Sequence, residues 1–166
     1  SSSRAPKKIK KNKPIKKKSS TKVQSQKNIV HPNKNDLGKS DNLRVSKINE
    51  QKPEIIFHLA AQPLVSVSFN DPIYTLKTNA IGTANILESI RFSDSVKAAI
   101  MITTDKVYKN EEDGRAYEED DPLGGHDPYS ASKAAAEIII SSYNLSFLQG
   151  KVSISSARAV SYTHLR

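Results

Sequence analysis

The sequence predicts an α/β domain built on a partial doubly wound parallel sheet. Three observations carry that expectation. Short apolar runs alternate with longer segments of helical period, in the order strand, helix, strand, helix, strand. The runs are uninterrupted and rich in β-branched residues, as strands covered on both faces are. The helical segments carry apolar residues at intervals of three and four.

The elements follow in chain order. Residues 1–28 are Lys, Ser, Asn, Gln and Pro, with Ile9, Ile15 and Val23 as the only branched aliphatics, so little burial offsets the entropy of ordering them. We take 1–40 as a basic, low-complexity, disordered leader, 41–159 as the partial domain and 160–166 as an unmatched tail. Ser46–Gln51 closes a short helix, and Pro53 introduces the strand EIIFHLAA (54–61). Asp71-Pro72 reads as a helix start, Asp as N-cap and Pro at the first helical position. After it Ile73, Leu76, Ala80, Ile81, Ala84, Leu87 and Ile90 form one apolar face over about 20 residues. KAAIMITT (97–104) is a second buried strand. Residues 109–127 are a loop with seven carboxylate residues up to Asp121 and the pair Gly124-Gly125. A second helix runs from Tyr129 to Leu145, apolar at Ala134, Ala135, Ile138 and Ile139, and KVSISSARA (151–159) is a third strand.

Charge divides the chain as the patterning does. Of 26 basic and 17 acidic residues, residues 1–50 hold 15 and 3, so the net +9 sits wholly in the leader and the remainder is mildly acidic. The absence of Cys excludes disulfides, thiolate metal sites and a Cys nucleophile. The longest apolar run, Ala98 to Ile102, is far too short for a bilayer, and the leader has no apolar core of a secretory signal. These features predict a cytoplasmic protein with no membrane partner.

Two places carry the means for chemistry. In TTDKVY (103–108) polar residues follow directly on an apolar strand, and in open α/β sheets the carboxyl ends of strands line the ligand crevice. Thr104, Asp105 and Lys106 are therefore placed to reach a substrate. A strand-end turn capped by Asp105 accounts for the same residues, and spacing does not separate the two. In YSASK (129–133) Tyr129 and Lys133 share a helical face one turn apart. An ammonium near a phenol favours phenolate, lowering the Tyr pKa so that it can take a proton from a substrate hydroxyl. A Tyr-Lys pair on a helix is more often plain surface; the two motifs together are the stronger signal.

HLAAQ (58–62), TNAIGT (78–83), TTDKVY and YSASK, in this order and at these intervals, resemble the extended short-chain dehydrogenase/reductases, and within them the nucleotide-sugar 4,6-dehydratases. FHLAAQPLV (57–65), PLGGHDPYSASK (122–133) and Lys106, where the dTDP-glucose siblings carry Glu, resemble the subgroup acting on CDP-glucose. Ser66 stands where that subgroup often has Arg. The resemblance implies a Rossmann-like fold, bound NAD, a nucleotide-sugar substrate with CDP-glucose favoured, and a homo-oligomeric parent. It implies that Tyr129, helped by Lys133, deprotonates the sugar 4-hydroxyl, to which Thr104 hydrogen-bonds, while hydride passes to NAD. Water then leaves across positions 5 and 6, with Asp105 protonating the departing hydroxyl, Lys106 where siblings place the base, and hydride returning to position 6. Leu59, Ala60, Ala61 and Thr78, together with Tyr129 and Lys133, would meet the cofactor, with Asn79 on the same helix; no metal is implied.

The family's Gly-rich first strand-turn has no counterpart, since glycines stand only at 38, 82, 114, 124, 125 and 150. SSARA (155–159) resembles the family's sixth strand, after which VSYTHLR (160–166) departs from it, so the expectation is a part without the C-terminal substrate domain. The expectation is a fragment of a dehydratase, inactive as given. Two other readings stand beside it: another NAD-dependent nucleotide-sugar epimerase or dehydratase, and a non-catalytic basic protein binding nucleic acid non-specifically through its leader. The leader has no aromatic residue for base stacking. Without neighbours for the apolar faces around Ile55, Ile81, Ile100 and Ile138, the isolated chain is expected neither to bind NAD usefully nor to fold as a stable monomer. Thermal unfolding with and without millimolar NAD checks this; a cooperative transition that NAD shifts upward would contradict it.

Overall fold

The computed structural model describes residues 47–110 and 114–160; the leader, residues 41–46 of the expected domain and all but Val160 of the expected tail lie outside them. Residues 47–51 are helical, as the sequence suggests. Three strands follow, β1 (Ile55–His58), β2 (Ala98–Thr104) and β3 (Ser153–Ala159), in the order β1-β2-β3. Both pairings are parallel, with Ile55 opposite Ala98 and Ala98 opposite Ser153. Parallel neighbours need long crossovers, and helices supply both. A three-stranded part of a parallel α/β sheet with flanking helices is therefore present.

The first crossover holds α1 (Val65–Asn70), α2 (Pro72–Leu76), a π-helical turn (Lys77–Ile81) and α3 (Gly82–Arg91). The Asp71 carboxylate accepts from Tyr74 N at 2.9 Å and Pro72 takes the first helical position, so the start lies where the Asp-Pro pair puts it. The second crossover ends in α4 (Pro128–Tyr143), followed by another π-helical turn (Asn144–Leu148). Asp127 caps α4, accepting from Ser130 N at 3.0 Å and Ser130 Oγ at 2.6 Å.

Leu87, Ile90, Val96, Ala99, Met101, Ile140, Leu148 and Val152 form one core where α3 and α4 cover the sheet. Burying such side chains stabilises by about 1.5–3 kcal/mol each. At Ala99 and Met101 the β2 pleat puts alternate residues into this core, while Ile100 and Ile102 are half-buried.

Three expectations need correction. The first strand is not buried on both faces: among the described residues it forms the sheet edge, with Ile55 55% and Phe57 60% exposed. The apolar stripe of the first long helix is only partly inward, since Ile73, Leu76 and Ile81 are exposed while Thr75, Asn79, Thr83, Leu87 and Ile90 are buried. The inward line is polar near the carboxyl ends of the strands because hydrogen bonds hold it there. The same holds for α4, where Ile138 is 60% exposed and the inward line carries Tyr129, Lys133, Glu137 and Ile140. Of the four apolar sites expected to lack neighbours, Ile55, Ile81 and Ile138 are exposed and Ile100 is half-buried.

Candidate active site

β2 ends at Thr104, and a single 3-10 turn, Asp105–Val107, follows it. Thr104 Oγ1 donates to Asp105 Oδ1 at 2.9 Å and accepts from Lys106 N at 3.4 Å, so the threonine caps the turn that carries both candidates. The Thr104 side chain also lies near enough to the Tyr129 phenol to act on its pKa. The two motifs that the sequence singled out thus meet, one from a strand end and one from the first turn of a helix. Asp105, Lys106, Tyr108, Asn110, Tyr117, Gly125, His126, Asp127 and Ser130 line one cleft of about 350 Å³. A cleft of that size takes a small ligand.

The electrostatics correct one expectation. Burial, together with the Asp105 and Asp127 carboxylates, raises the Tyr129 phenol above its ordinary pKa, and the neighbouring Thr104 side chain only partly offsets this. Lys133 is buried at 7% exposure, and its Nζ donates to the Ile102 carbonyl at 3.0 Å. Its pKa is lowered by desolvation, which the Glu137 carboxylate opposes. The lysine therefore does not depress the phenol here; two nearby carboxylates act against it. His58, at the end of β1, is held below its ordinary pKa by burial and by the Lys133 charge, and its Nε2 lies 3.4 Å from Thr83 Oγ1. Burial pushes the Asp127 carboxyl up, but bonds from Ser130 and Tyr129 N, with the Lys106 charge, outweigh it and hold the group low.

The remaining expected residues sit as follows. Leu59, Ala60 and Ala61 follow β1, the first two exposed and Ala61 half-buried, as an open apolar ledge at the carboxyl end of the sheet. Thr78 is half-buried in the π turn. Asn79 is buried and engaged by protein: its Oδ1 accepts from Gln62 N at 2.8 Å, and its Nδ2 donates to Gln62 O at 3.1 Å and Ser132 Oγ at 2.9 Å. Ser132 in turn donates to the Tyr129 carbonyl at 2.6 Å. Sequence reasoning passed over Gln62, Ser132, Glu137, Arg158 and His126. Glu137 had a signal, a carboxylate four residues beyond Lys133 on an otherwise apolar helical stretch. Among the described residues no cluster of His, Asp and Glu could hold a metal ion, and no helix is long and apolar enough to cross a membrane.

The acidic loop is tied at both ends. Tyr108 and Leu123 form an antiparallel bridge, Lys109 N donates to Pro122 O at 2.8 Å and Gly124 N donates to Val107 O at 2.8 Å. Within it Arg115 grips both Asp121 oxygens at 2.7 Å and lowers that carboxyl to about 2.

A family model described as GDP-mannose 4,6-dehydratase matches residues 5–155. A CDP-glucose 4,6-dehydratase of Salmonella typhimurium is 45% identical over 130 residues, which are 75% of this chain and 36% of that protein. A UDP-glucose 4-epimerase of Mycolicibacterium smegmatis is 36% identical over 57% of this chain and 30% of that protein. A Thermus thermophilus UDP-glucose 4-epimerase, solved as a complex with NAD, superposes with a TM-score of 0.61 at 26% identity, covering 78% of this chain and 44% of its own. This chain spans about a third of the length of these curated relatives.

Gly125 gives a structural test. A Cβ there would stand 2.3 Å from Ala131 N and 2.4 Å from the Ser130 carbonyl carbon, whereas at Gly124 it would meet only Lys109, at 3.2 Å from its Cβ. Gly125→Ala is expected to displace the first turn of α4 and destabilise the fold by about 1–3 kcal/mol as overpacking does. Gly124→Ala is expected to cost less. Denaturant midpoints of the two variants, made in the intact protein, check the order.

Proposed function

This chain belongs to the GDP-mannose 4,6-dehydratase family, among the NAD-dependent epimerases and dehydratases, and from that premise we propose that it carries the catalytic centre of a nucleotide-sugar 4,6-dehydratase acting on CDP-glucose. The observation that carries the reading is the meeting of Thr104 and Tyr129 beside a cleft lined by Asp105 and Lys106. One hydroxyl can hold the substrate's alcohol and the other can take its proton, while a carboxyl stands close by to serve a leaving group.

The residues present fit NAD. The ledge Leu59–Ala61 offers apolar surface to a flat ring, and the buried Lys133 ammonium can donate to ribose hydroxyls as well as to the Ile102 carbonyl. Bound NAD supplies reversible hydride acceptance, so no net oxidation results. The chain's own part is proton management. Tyr129 takes the proton of the sugar 4-hydroxyl, with Thr104 orienting that oxygen. A ketone at position 4 acidifies the hydrogen at position 5, and its loss expels the 6-hydroxyl, which Asp105 protonates so that it leaves as water. Lys106 lies on the same cleft and serves as the group that handles the proton from position 5. With hydride supplied to position 6, Lys106 would return the proton to position 5 to leave a 4-keto-6-deoxy sugar, and the proton that Tyr129 took would replace the one Asp105 gave to the departing water. The Asp105-Lys106 pair favours elimination over simple epimerisation, which needs no acid for a leaving hydroxyl.

The intact protein is expected to convert CDP-glucose to the 4-keto-6-deoxy product without accumulating NADH, which absorbance at the reduced nicotinamide band checks. Tyr129→Phe is expected to lower turnover by ~10²–10⁴-fold. Because burial and two carboxylates raise the phenol's pKa, its basic form gains population only as pH climbs. The rate is therefore expected to rise with pH into the alkaline range, and this limb is expected to vanish in Tyr129→Phe. Wild-type turnover in the Phe variant, or an unchanged alkaline limb, contradicts the assignment.

A further inference from the structure

Glu137 is buried at 6% exposure and takes no part in the chemistry above. It accepts from Thr103 Oγ1, from Ser156 Oγ at 3.1 Å and from Arg158 Nη2 at 3.0 Å. One carboxylate thereby ties α4 to β2 and β3. Arg158 uses its second terminal nitrogen elsewhere. Nη1 donates to the Tyr108 hydroxyl and to the Glu119 carbonyl, both at 2.8 Å, and the guanidinium lies 4.8 Å from the centre of the Tyr108 ring. Tyr108 stacks on Tyr117, centres 4.7 Å apart and planes 10° from parallel. Both tyrosines line the cleft that holds Asp105 and Lys106.

The geometry suits arginine specifically. A planar guanidinium presents five donors in a fixed fork, so it can hold a carboxylate, a phenol and a carbonyl at once while its face lies on a ring. Asp105 and Lys106 sit between two fixed points. Thr104 caps their turn on one side, and Tyr108, held by Arg158, ends it on the other.

We propose that Arg158, fixed from behind by Glu137, is a positioning residue of this site: it sets the cleft wall made by Tyr108 and Tyr117 and so places Asp105 and Lys106 against the sugar. The proposal rests on the dehydratase reading, since it concerns the same cleft. Arg158 touches no substrate; it acts through Tyr108 and the backbone at Glu119.

Two variants test it without stranding a buried carboxylate. Arg158→Lys keeps a cation for Glu137 and loses the fork, and Tyr108→Phe keeps the ring and loses only the hydroxyl. In the intact protein, amide hydrogen exchange is followed together with kcat and KM for CDP-glucose. Arg158→Lys is expected to speed exchange in residues 114–123 while β2 and β3 keep wild-type rates. Its kcat is expected to fall by up to about 10²-fold, the scale of a misplaced reacting group, with a smaller change in KM. Tyr108→Phe is expected to show part of both effects. Wild-type exchange in 114–123 overturns the proposal, as does faster exchange spread through β2 and β3, or a loosened segment with unaltered kcat. Tyr129→Phe, run alongside, separates the two readings. Wild-type turnover in that variant removes the dehydratase reading itself, whereas loss there with none in Arg158→Lys removes only the positioning role.

Discussion

The seating of α4 on the last residues of β2 is the constraint on which the site depends. Three helix residues spaced by four, Tyr129, Lys133 and Glu137, meet three consecutive strand residues. Tyr129 meets the Thr104 hydroxyl, Lys133 the Ile102 carbonyl and Glu137 the Thr103 hydroxyl. The contacts are of two kinds: Lys133 goes to a backbone carbonyl, while Glu137 takes the Thr103 hydroxyl. Slip α4 by one residue and all three partners are lost together, leaving a buried ammonium and a buried carboxylate without theirs, the costliest kind of vacancy in a protein interior.

That constraint also explains what could be read from the sequence and what could not. Strand positions were legible because apolar runs of this length have few other uses, and the start of α2 was legible because Asp71-Pro72 has one physical meaning there. The facing of the helices was not. A periodicity argument assigns the apolar stripe to the interior, which is sound where a core lies beneath, as at Leu87 and Ile90. Near the carboxyl ends of the strands the interior is a polar network. There Thr75, Asn79 and Thr83 turn inward, and Ile73 and Ile81 are left outside.

The candidate site was half legible. Thr104, Asp105, Lys106, Tyr129 and Lys133 could be named because their types are scarce on apolar elements and their spacing has a chemical reading. The supporting residues could not, because their partners are remote in the chain: Arg158 reaches Tyr108 and Glu119, and Asn79 reaches Ser132. The direction of the Tyr129 shift was misread for a related reason. Sequence spacing supplies the lysine four residues away, but it does not supply Asp105 and Asp127, which the fold brings to the phenol.

The register of the sheet bears on how such a chain reaches its fold. Ile55 waits for Ala98, and Ala98 for Ser153, so among the described residues each strand pairing joins distant parts of the chain and no hairpin seeds the sheet. Loop-closure entropy is met before any pairing rewards it, which makes assembly slow for a protein of this size. Helices form on far shorter times than such pairings. During that interval the apolar strands, Ile55 and Phe57 among them, are open to strands of neighbouring molecules, and the lysine and glutamate that flank the β1–β2 pair, Lys97 and Glu54, stand as charged gatekeepers at its entrance.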